Sequence, residues 1–549
     1  MLRHTLLALA IPAALSAAPV ERFGIFDLTL ESQSGAGNPY LAISADANLL
    51  GPGGASFSIP LFWDGGTNWR LRFSPQGAGR WTFSVKSNDP ALNGRKGAFF
   101  CDPSNRPGGL RPSQAWPGHF ERANGTPVWF LGDTAWGYLT DNPDDNHYRA
   151  QAELHARTRA AQGFNVFHVM ALSEQGVGNN GGLPFADLDA QVINPAYWRE
   201  VDRRIAFANA NGITAAMALA WGNKRNIEPF SWGRFPNVEA RKRYARYMAA
   251  RYCAFDVYFI VAGEWHGEVR NRKRSSEHEV FQEFVEIGDT LAAADPHRRM
   301  IAIHPMTAHG STREFGAAGW MSFADYQQNY RDLHQRTLAA RTARGPVVNS
   351  EYGYHLRDQD GDGKPDKANS YSLEDIRFAS WDIAMAGGYM VTGFGTTYFG
   401  GHRDPGPWNI DDPKNDAWEA QVSHMKNFFS KLEFWRLSSA DDWIHSPEPR
   451  LPDRTDHIEG AAPRQSVHPP ARTWWALADP GRAYVVYVRG ARQPITLEFH
   501  AHLRPYLARE FNPRSGEFRP IEPPAGSTYV YRPPSDDDWV VLLQAREKK

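Results

Sequence analysis

Residues 257–265 read Val-Tyr-Phe-Ile-Val-Ala-Gly-Glu-Trp. A short, continuous apolar run of this kind is the pattern of a strand buried on both faces. Gly263 lets the backbone turn at its end, and Glu264 follows directly, with Trp265 and His266 beside it. A carboxylate at the C-terminal mouth of a buried parallel strand is where an α/β barrel places its chemistry. The plainer reading is an ion pair with an arginine, or a helix cap. A second stretch of the same kind weighs against it: Pro-Val-Val-Asn-Ser at 346–350 leads into Glu351, and Tyr352, Gly353 and Tyr354 follow.

Outward from these two stretches, strands alternate with helices. Strands are expected at 128–131 (running into Gly132-Asp133-Thr134-Ala135-Trp136), 165–171, 213–220 (ending at Trp221), 257–262, 300–303 (ending at His304), 321–326 (ending near Gln327), 347–349 and 389–393. Helices are expected at 146–162, 197–211, 238–252, 277–294, 333–342, 373–386 and 417–432. Eight strands interleaved with helices over about 300 residues match a (β/α)8 barrel. An open doubly wound sheet would carry a Gly-rich phosphate loop after its first strand, and none is present.

The flanks have a different pattern. Trp69, Leu71 and Phe73 alternate with arginines, Trp81, Phe83 and Val85 alternate with polar residues, and Pro75–Gly79 supplies a turn between them. Period-two strands of this kind before residue 103 indicate a β-sandwich, and the Pro- and Gly-rich stretch 105–117 a linker. Beyond residue 440, strands at 484–488, 495–499 and 539–543 indicate a second sandwich. Arg3 and His4, the apolar stretch 5–15 and the small residues 16–18 read as a signal peptide. The expected organisation is a signal peptide at 1–18, an N-terminal β-sandwich at 19–104, the barrel at 105–439 and a C-terminal β-sandwich at 440–549. The mature chain is expected to be secreted or periplasmic, with no membrane span.

The 549 residues carry a net charge of −1 and no basic block, which argues against a nucleic-acid partner. Aromatic residues make up 13% of the chain, including 19 Trp, and lean toward a carbohydrate site walled by flat rings. The two cysteines, Cys101 and Cys253, read as buried small hydrophobes rather than a disulfide, and no zinc spacing is present.

Hydrolysis of a glycosidic bond needs a proton on the leaving oxygen and negative charge beneath the anomeric carbon, a task for two carboxylates in different environments. By analogy with retaining barrel glycosidases, Glu264 on the fourth strand is the expected acid/base and Glu351 on the seventh the nucleophile. Glu268 and Glu228 are rivals that do not directly end a strand. Asp133, Trp136, Trp221, Trp265, His304, Gln327 and Tyr352 sit at or just past strand ends and are the candidate substrate contacts. Each also has a structural reading: a turn cap for Asp133, a core histidine for His304, barrel-top filling for the tryptophans. No cofactor is expected for catalysis. The stretch 358–366, Asp-Gln-Asp-Gly-Asp-Gly-Lys-Pro-Asp, places Asp358, Asp360, Asp362 and Asp366 with Gly363 at the sixth position, as in the first half of an EF-hand loop. The twelfth position is Asn369, without the usual bidentate Glu. A structural Ca2+ site and a solvated acidic turn are the two readings.

The run 127–136, Pro-Val-Trp-Phe-Leu-Gly-Asp-Thr-Ala-Trp, followed by Gly163-Phe164-Asn165-Val166, resembles the opening of the apiosidase-like glycoside hydrolase domain. The strand into Gly263-Glu264 and the run Ser350-Glu351-Tyr352 match the rest of that barrel. The N-terminal strands with Gly79-Arg80-Trp81 are similar to the β-domain found ahead of such barrels. The stretch Phe511-Asn512-Pro513-Arg514-Ser515-Gly516 resembles the collagen-binding-type β-domain that follows them. The resemblance implies hydrolysis of plant or algal cell-wall polysaccharide, with a polysaccharide or oligosaccharide as partner. Family members associated with apiose release carry Asp where this chain has Glu264, so the resemblance carries the reaction class rather than the sugar. A second function, from another class, is carbohydrate or matrix binding on a decayed barrel; retention of both carboxylates favours the enzyme.

Overall fold

The structure is a computed structural model. It describes residues 15–16, 19–33, 37–141, 148–172, 177–222, 231–271, 276–306, 309–327, 332–341, 345–355, 370–394, 413–451, 472–499 and 505–546. The acidic loop with Asp358, Asp360, Asp362 and Asp366 lies outside the described residues, as does Glu228.

One compact unit takes in the chain up to Arg106 with the segments Arg246–Ala254 and Ala293–Arg298. Its larger sheet includes Lys96–Asp102, Gly79–Ser87, Ala45–Leu50 and Ser56–Pro60, and a second sheet holds Phe26–Glu31, Asn68–Phe73 and Phe62–Trp63. The alternation expected from sequence is present, but its two best strands are not hairpin partners. Asn68–Phe73 pairs with Phe26–Glu31, and Gly79–Ser87 pairs with Ala45–Leu50 and Lys96–Asp102. The stretch 75–79 therefore crosses between sheets, and Phe73 meets Trp81 across the core with ring centroids 5.0 Å apart. Cys101 and Cys253 are buried and unbridged.

The second unit holds the barrel and the C-terminal strands. Eight parallel strands follow one another in space: Leu131–Asp133, Val166–Met170, Thr214–Ala218, Val257–Ile260, Ile301–Ala302, Ala324–Gln327, Val347–His355 and Tyr389–Phe394. The first also pairs with the eighth, and a single parallel bridge, Ile301 to Met321, joins the fifth to the run into the sixth. The second, third and fourth strands are buried along their whole length, so apolar side chains can occupy both faces and no alternation appears. Helices at Arg149–Ala161, Pro195–Ala210, Val238–Tyr252, Glu277–Ala294, Leu333–Ala340, Leu373–Met385 and Pro413–Phe429 lie where strand-to-strand crossovers require them.

Two local expectations change. The first barrel strand is Leu131–Asp133, because Pro127–Val128 is taken up by a small antiparallel sheet with Phe120–Arg122 and Leu110–Pro112. The Pro-rich stretch read as linker therefore contributes a strand. Below the barrel, Phe120 stacks on Phe130 with centroids 5.0 Å apart and Trp129 on Phe429 at 4.1 Å, closing the floor with rings.

The C-terminal strands form a six-stranded sheet centred on Thr473–Asp479, Ala483–Arg489 and Asp538–Ala545, with a three-stranded sheet beside it. One face of the larger sheet packs on barrel helices: Trp381 stacks on Tyr487 at 5.4 Å and His334 on Trp475 at 3.8 Å. Buried polar pairs reinforce this contact, Arg377 to Asp538 at 2.9 Å and Trp475 Nε1 to Asp382 at 2.9 Å.

Candidate active site

The ends of the third and fourth strands approach closely, and two glycines allow it. A Cβ on Gly263 would fall 2.0 Å from the Trp221 ring, and one on Gly222 would fall 2.8 Å from the Trp265 backbone. With hydrogen in those places, Gly222 N–H donates to Gly263 O at 2.7 Å, and the Trp221 indole Nε1–H donates to Glu264 Oε2 at 3.3 Å. Glu264 itself takes φ +43°, a left-handed backbone that costs a non-glycine residue roughly 1 kcal/mol or more. That bend separates two neighbours: Glu264 stays partly exposed, while Trp265 is fully buried against Phe315.

Glu351 lies within the seventh strand, where pairing is irregular. Registers shift between Asn349 and Tyr352 and again between Tyr352 and His355. In a regular strand Ser350 and Glu351 would face opposite ways. Here Ser350 Oγ lies 2.7 Å from His304 Nδ1, and Glu351 Oε2 lies 3.1 Å from His304 Nε2. The second irregularity brings Tyr354 in as well, its hydroxyl donating to Glu351 Oε1 at 2.5 Å.

Gln327 joins the two carboxylates. Its Nε2 lies 3.4 Å from Glu264 Oε1 and 3.1 Å from Glu351 Oε2, so those oxygens can be no farther apart than the two lengths laid end to end. Trp136 completes the cluster: its Nε1 donates to Tyr354 OH at 3.3 Å, and its ring lies 5.0 Å from Trp221 and 5.8 Å from His304.

Of the residues expected at the mouth, Glu264, Glu351, Trp136, Trp221, His304 and Gln327 thus come together. Three others face elsewhere. Asp133 is fully buried and accepts from His155 at 2.9 Å and Arg159 at 2.8 Å, an ion pair tying the first strand to its helix. Tyr352 points at the helix layer, its hydroxyl 2.5 Å from Ser380. Trp265 packs on His266 and Phe315. Glu268, the rival carboxylate, is buried and bound by Arg241 at 2.8 Å. Tyr354 and Ser350 escaped the sequence reading because strand alternation points them away; only the irregular register turns them in. His168 and Asp325 left a signal, a polar side chain inside a buried strand.

Charge is distributed unevenly here. Burial works against the imidazolium of His304, but the hydrogen bond to Glu351 and the charges of Asp325, Glu351 and Glu264 outweigh it and raise its pKa. His168, 2.7 Å from Tyr258 OH, is driven well below the usual range by burial, with the His304 charge adding to the effect. Burial pushes the Asp325 carboxyl up to about 7, against the pull of His304 and Ser350.

Among the described residues, one group of side chains stands within metal-binding reach: Cys253, Asp295 and His297, in the first unit. His297 Nε2 accepts the Ser74 N–H at 3.0 Å, which leaves the ring proton on Nδ1, facing Asp295 at 3.4 Å.

Residues 118–436 match the family described as apiosidase-like, catalytic domain, and the chain belongs to that family. Residues 19–88 match a domain of unknown function, DUF5060. No curated protein matches the chain. Among solved structures, a Bacteroides vulgatus protein assigned as a glycoside hydrolase superposes with TM-score 0.71 at 17% identity, over 96% of this chain and 100% of that one. A protein described as a glycoside hydrolase gives 0.63 at 18%, over 80% and 98%. A glycoside hydrolase family 5 protein from Bacteroides vulgatus gives 0.61 at 17%, over 80% and 94%. At such identities the superpositions speak for the fold, a glycosidase-type barrel with β-rich flanks. With the family match, they make the chain a glycoside hydrolase.

Proposed function

We propose that the chain is an exported, retaining hydrolase of plant or algal cell-wall polysaccharide, with Glu351 as nucleophile and Glu264 as acid/base. The observation that carries this is the shared donor Gln327 Nε2, which limits the separation of the two carboxylates. The limit lies at the lower edge of the ~6.5–9.5 Å typical of inverting enzymes and accommodates the ~5–5.5 Å of retaining ones. Glu351 takes donors on both oxygens, from Tyr354 on one and from His304 and Gln327 on the other, which suits a carboxylate that must attack as an anion. Glu264 is partly exposed, and its contacts with Trp221 and Gln327 are longer, which suits a group that gives and regains a proton.

In the first step a Glu351 oxygen bonds to the anomeric carbon as the glycosidic C–O bond breaks, and the Glu264 proton passes to the departing oxygen. In the second, Glu264 takes a proton from water, whose oxygen displaces Glu351. The test is hydrolysis of a panel of pectins, hemicelluloses, β-glucans and algal polysaccharides, with the product anomer read by NMR at early times. Retention supports the proposal, inversion removes the nucleophile role of Glu351, and no hydrolysis of any member removes the substrate class.

Export is supported by the charged, apolar and small-residue sequence of 1–18 and by a domain match that starts at residue 19. No described helix is long and apolar enough to cross a membrane. The loop 358–366 is proposed as a structural Ca2+ site on its spacing alone. Chelation with EDTA should then lower the melting temperature, and calcium, not magnesium, should restore it.

A further inference from the structure

The interior of the barrel beneath the carboxylates is unusually polar. Barrel cores are filled in layers by inward side chains from alternate strands, mostly branched and apolar. Here the second strand contributes His168 and the fourth Tyr258, aligned through Ala216 between them. The sixth contributes Asp325. Tyr326 faces out, its hydroxyl 2.7 Å from Thr337 on a helix, and Gln327 faces the carboxylates, so alternation turns Asp325 inward, one step deeper than Gln327. Asp325 is 1% exposed, and its carboxylate oxygens receive no hydrogen bond of good geometry, the Ser350 hydroxyl alone standing close enough to stabilise the charge. A buried carboxyl so weakly supplied with donors is costly, and a positive charge nearby is what would offset that cost.

His304 supplies one. The Ser350 hydroxyl has a single hydrogen and two acceptors for it, Tyr326 O at 3.3 Å and the Asp325 carboxylate, which leaves its oxygen to accept from His304 Nδ1 at 2.7 Å. On the other side, Nε2 faces the acceptor oxygen of Glu351 at 3.1 Å. Both ring nitrogens meet acceptors, and only the imidazolium has two N–H groups to offer them. Glu351 alone cannot serve as its counter-charge through a retaining cycle, because the glycosyl ester of Glu351 is neutral. Esterification also removes the Glu351 charge that helps raise the Asp325 carboxyl, so Asp325 ionises more readily at that step.

We propose that Asp325 is a positioning residue: its buried carboxylate keeps His304 in the imidazolium form, so that Glu351 Oε2 is held by a charged donor before attack and His304 keeps a counter-charge in the covalent intermediate. The groups around His304 are Asp325 on the sixth strand, Ser350 and Glu351 on the seventh, Glu264 past the fourth, neutral His168 on the second, and the rings of Trp136 and Trp221. Asp325 in turn faces Tyr258 of the fourth strand, whose hydroxyl its charge disfavours ionising. The role of Asp325 toward His304 rests on the inward placement of Asp325, the two acceptors at the His304 ring and the charge each group feels from the other; its consequence for Glu351 rests on the retaining-glycosidase reading.

The experiment uses the full chain with 13C-labelled histidine, the His304 signal being assigned by its loss in His304→Gln. Removing a neighbouring opposite charge should lower the His304 pKa in Asp325→Asn by roughly one to three pH units. The alkaline limb of kcat/KM should move down with it, while the melting temperature holds or rises, since a neutral amide costs less to bury than a carboxylate and its oxygen can still accept from Ser350. A merely structural role would lower the melting temperature and leave the titration in place. An unmoved His304 titration overturns the proposal, and so does a moved titration with an unmoved activity profile, which breaks the link to Glu351. If the wild-type chain hydrolyses no polysaccharide, the glycosidase reading fails separately, and the titration still decides what Asp325 does to His304. Should Asp325→Asn not fold, Asp325→Ser, smaller and also uncharged, carries the same expectations.

Discussion

The barrel buries a histidine at each end, and the two are driven in opposite directions. At the floor, His119 Nδ1 lies 2.6 Å from Tyr389 OH among the rings of Phe434 and Tyr389. Burial, with the Arg341 charge adding to it, lowers its pKa to about 4. At the mouth, His304 is fully buried yet raised, because carboxylates surround it. Burial alone therefore does not determine the charge of a barrel histidine; the neighbours do. At the floor His119 stays neutral at neutral pH beside a cation, while at the mouth carboxylates surround His304 and Glu264 takes a left-handed backbone. That division lets substitutions at the mouth alter chemistry with little effect on the fold, and substitutions at the floor do the reverse.

The sharpest test of the division is also the largest effect. Glu351→Ala should lower turnover of the polysaccharide by a factor on the order of 10^4 or more, with a melting temperature close to wild type. Azide added to that variant should give a product of inverted configuration. Glu264→Ala should still form the glycosyl-enzyme from an aryl glycoside with a good leaving group, then stall, and azide should restart it with retained configuration. The opposite pattern would exchange the two roles. Wild-type turnover in both would remove the pair from the chemistry.

The floor predicts an effect on stability instead. A histidine whose folded pKa is depressed takes up a proton in the unfolded chain first, so stability is complete above about 6.5 and is lost as pH falls toward about 4. The full drop is worth at most about 3 kcal/mol from this one group. His119→Gln, which does not titrate, should show a flatter fall in melting temperature between those pH values, whatever its stability at pH 7. A parallel fall in both proteins would mean that His119 is not the group responsible.

Which features were legible in the sequence follows the same division. The buried strands announced themselves as apolar runs, so the barrel and its eight-fold order could be read from Val257 and Val347 onward, though the seventh strand runs on through Glu351 to His355 instead of ending before it. The helix Val238–Tyr252 fell at its expected ends. What could not be read depends on register. Tyr354 reaches Glu351, and Tyr352 turns to Ser380, only because the seventh strand is irregular; Gly353 is a bulge signal within the second irregularity, but it does not fix which side chains turn in. The first barrel strand was placed too early because its start was judged from local hydrophobicity, whereas pairing with Phe120–Arg122 claims Pro127–Val128. Similarly, Trp69 and Trp81 were legible as core residues, but not as members of facing sheets, since alternation is blind to which strand lies alongside.

Two conservative changes at the mouth separate strong from weak hold on the carboxylates. Tyr354→Phe removes a hydroxyl donor 2.5 Å from Glu351, and hydrogen bonds to charged groups contribute ~1.5–3 kcal/mol, so kcat should fall roughly 10- to 100-fold with KM little changed.

Trp221→Phe makes the smallest change. It keeps an aromatic side chain beside Gly263, where a Cβ would fall 2.0 Å from the tryptophan, and deletes the indole N–H together with the second ring. That donor sits 3.3 Å from Glu264 Oε2, and Glu264 keeps the Gln327 contact on its other oxygen. A long bond at a partly exposed carboxyl is worth about 1 kcal/mol or less, so kcat/KM should drop no more than about fivefold. The loss should be larger on substrates with poor leaving groups, which depend on the Glu264 proton, than on nitrophenyl glycosides, which do not. If Trp221→Phe instead costs as much as Tyr354→Phe, Glu264 is held as tightly as Glu351, and the contrast between a fixed nucleophile and a loosely held acid fails. If the loss is equal for both leaving groups, Trp221 acts by stacking on the sugar rather than through Glu264.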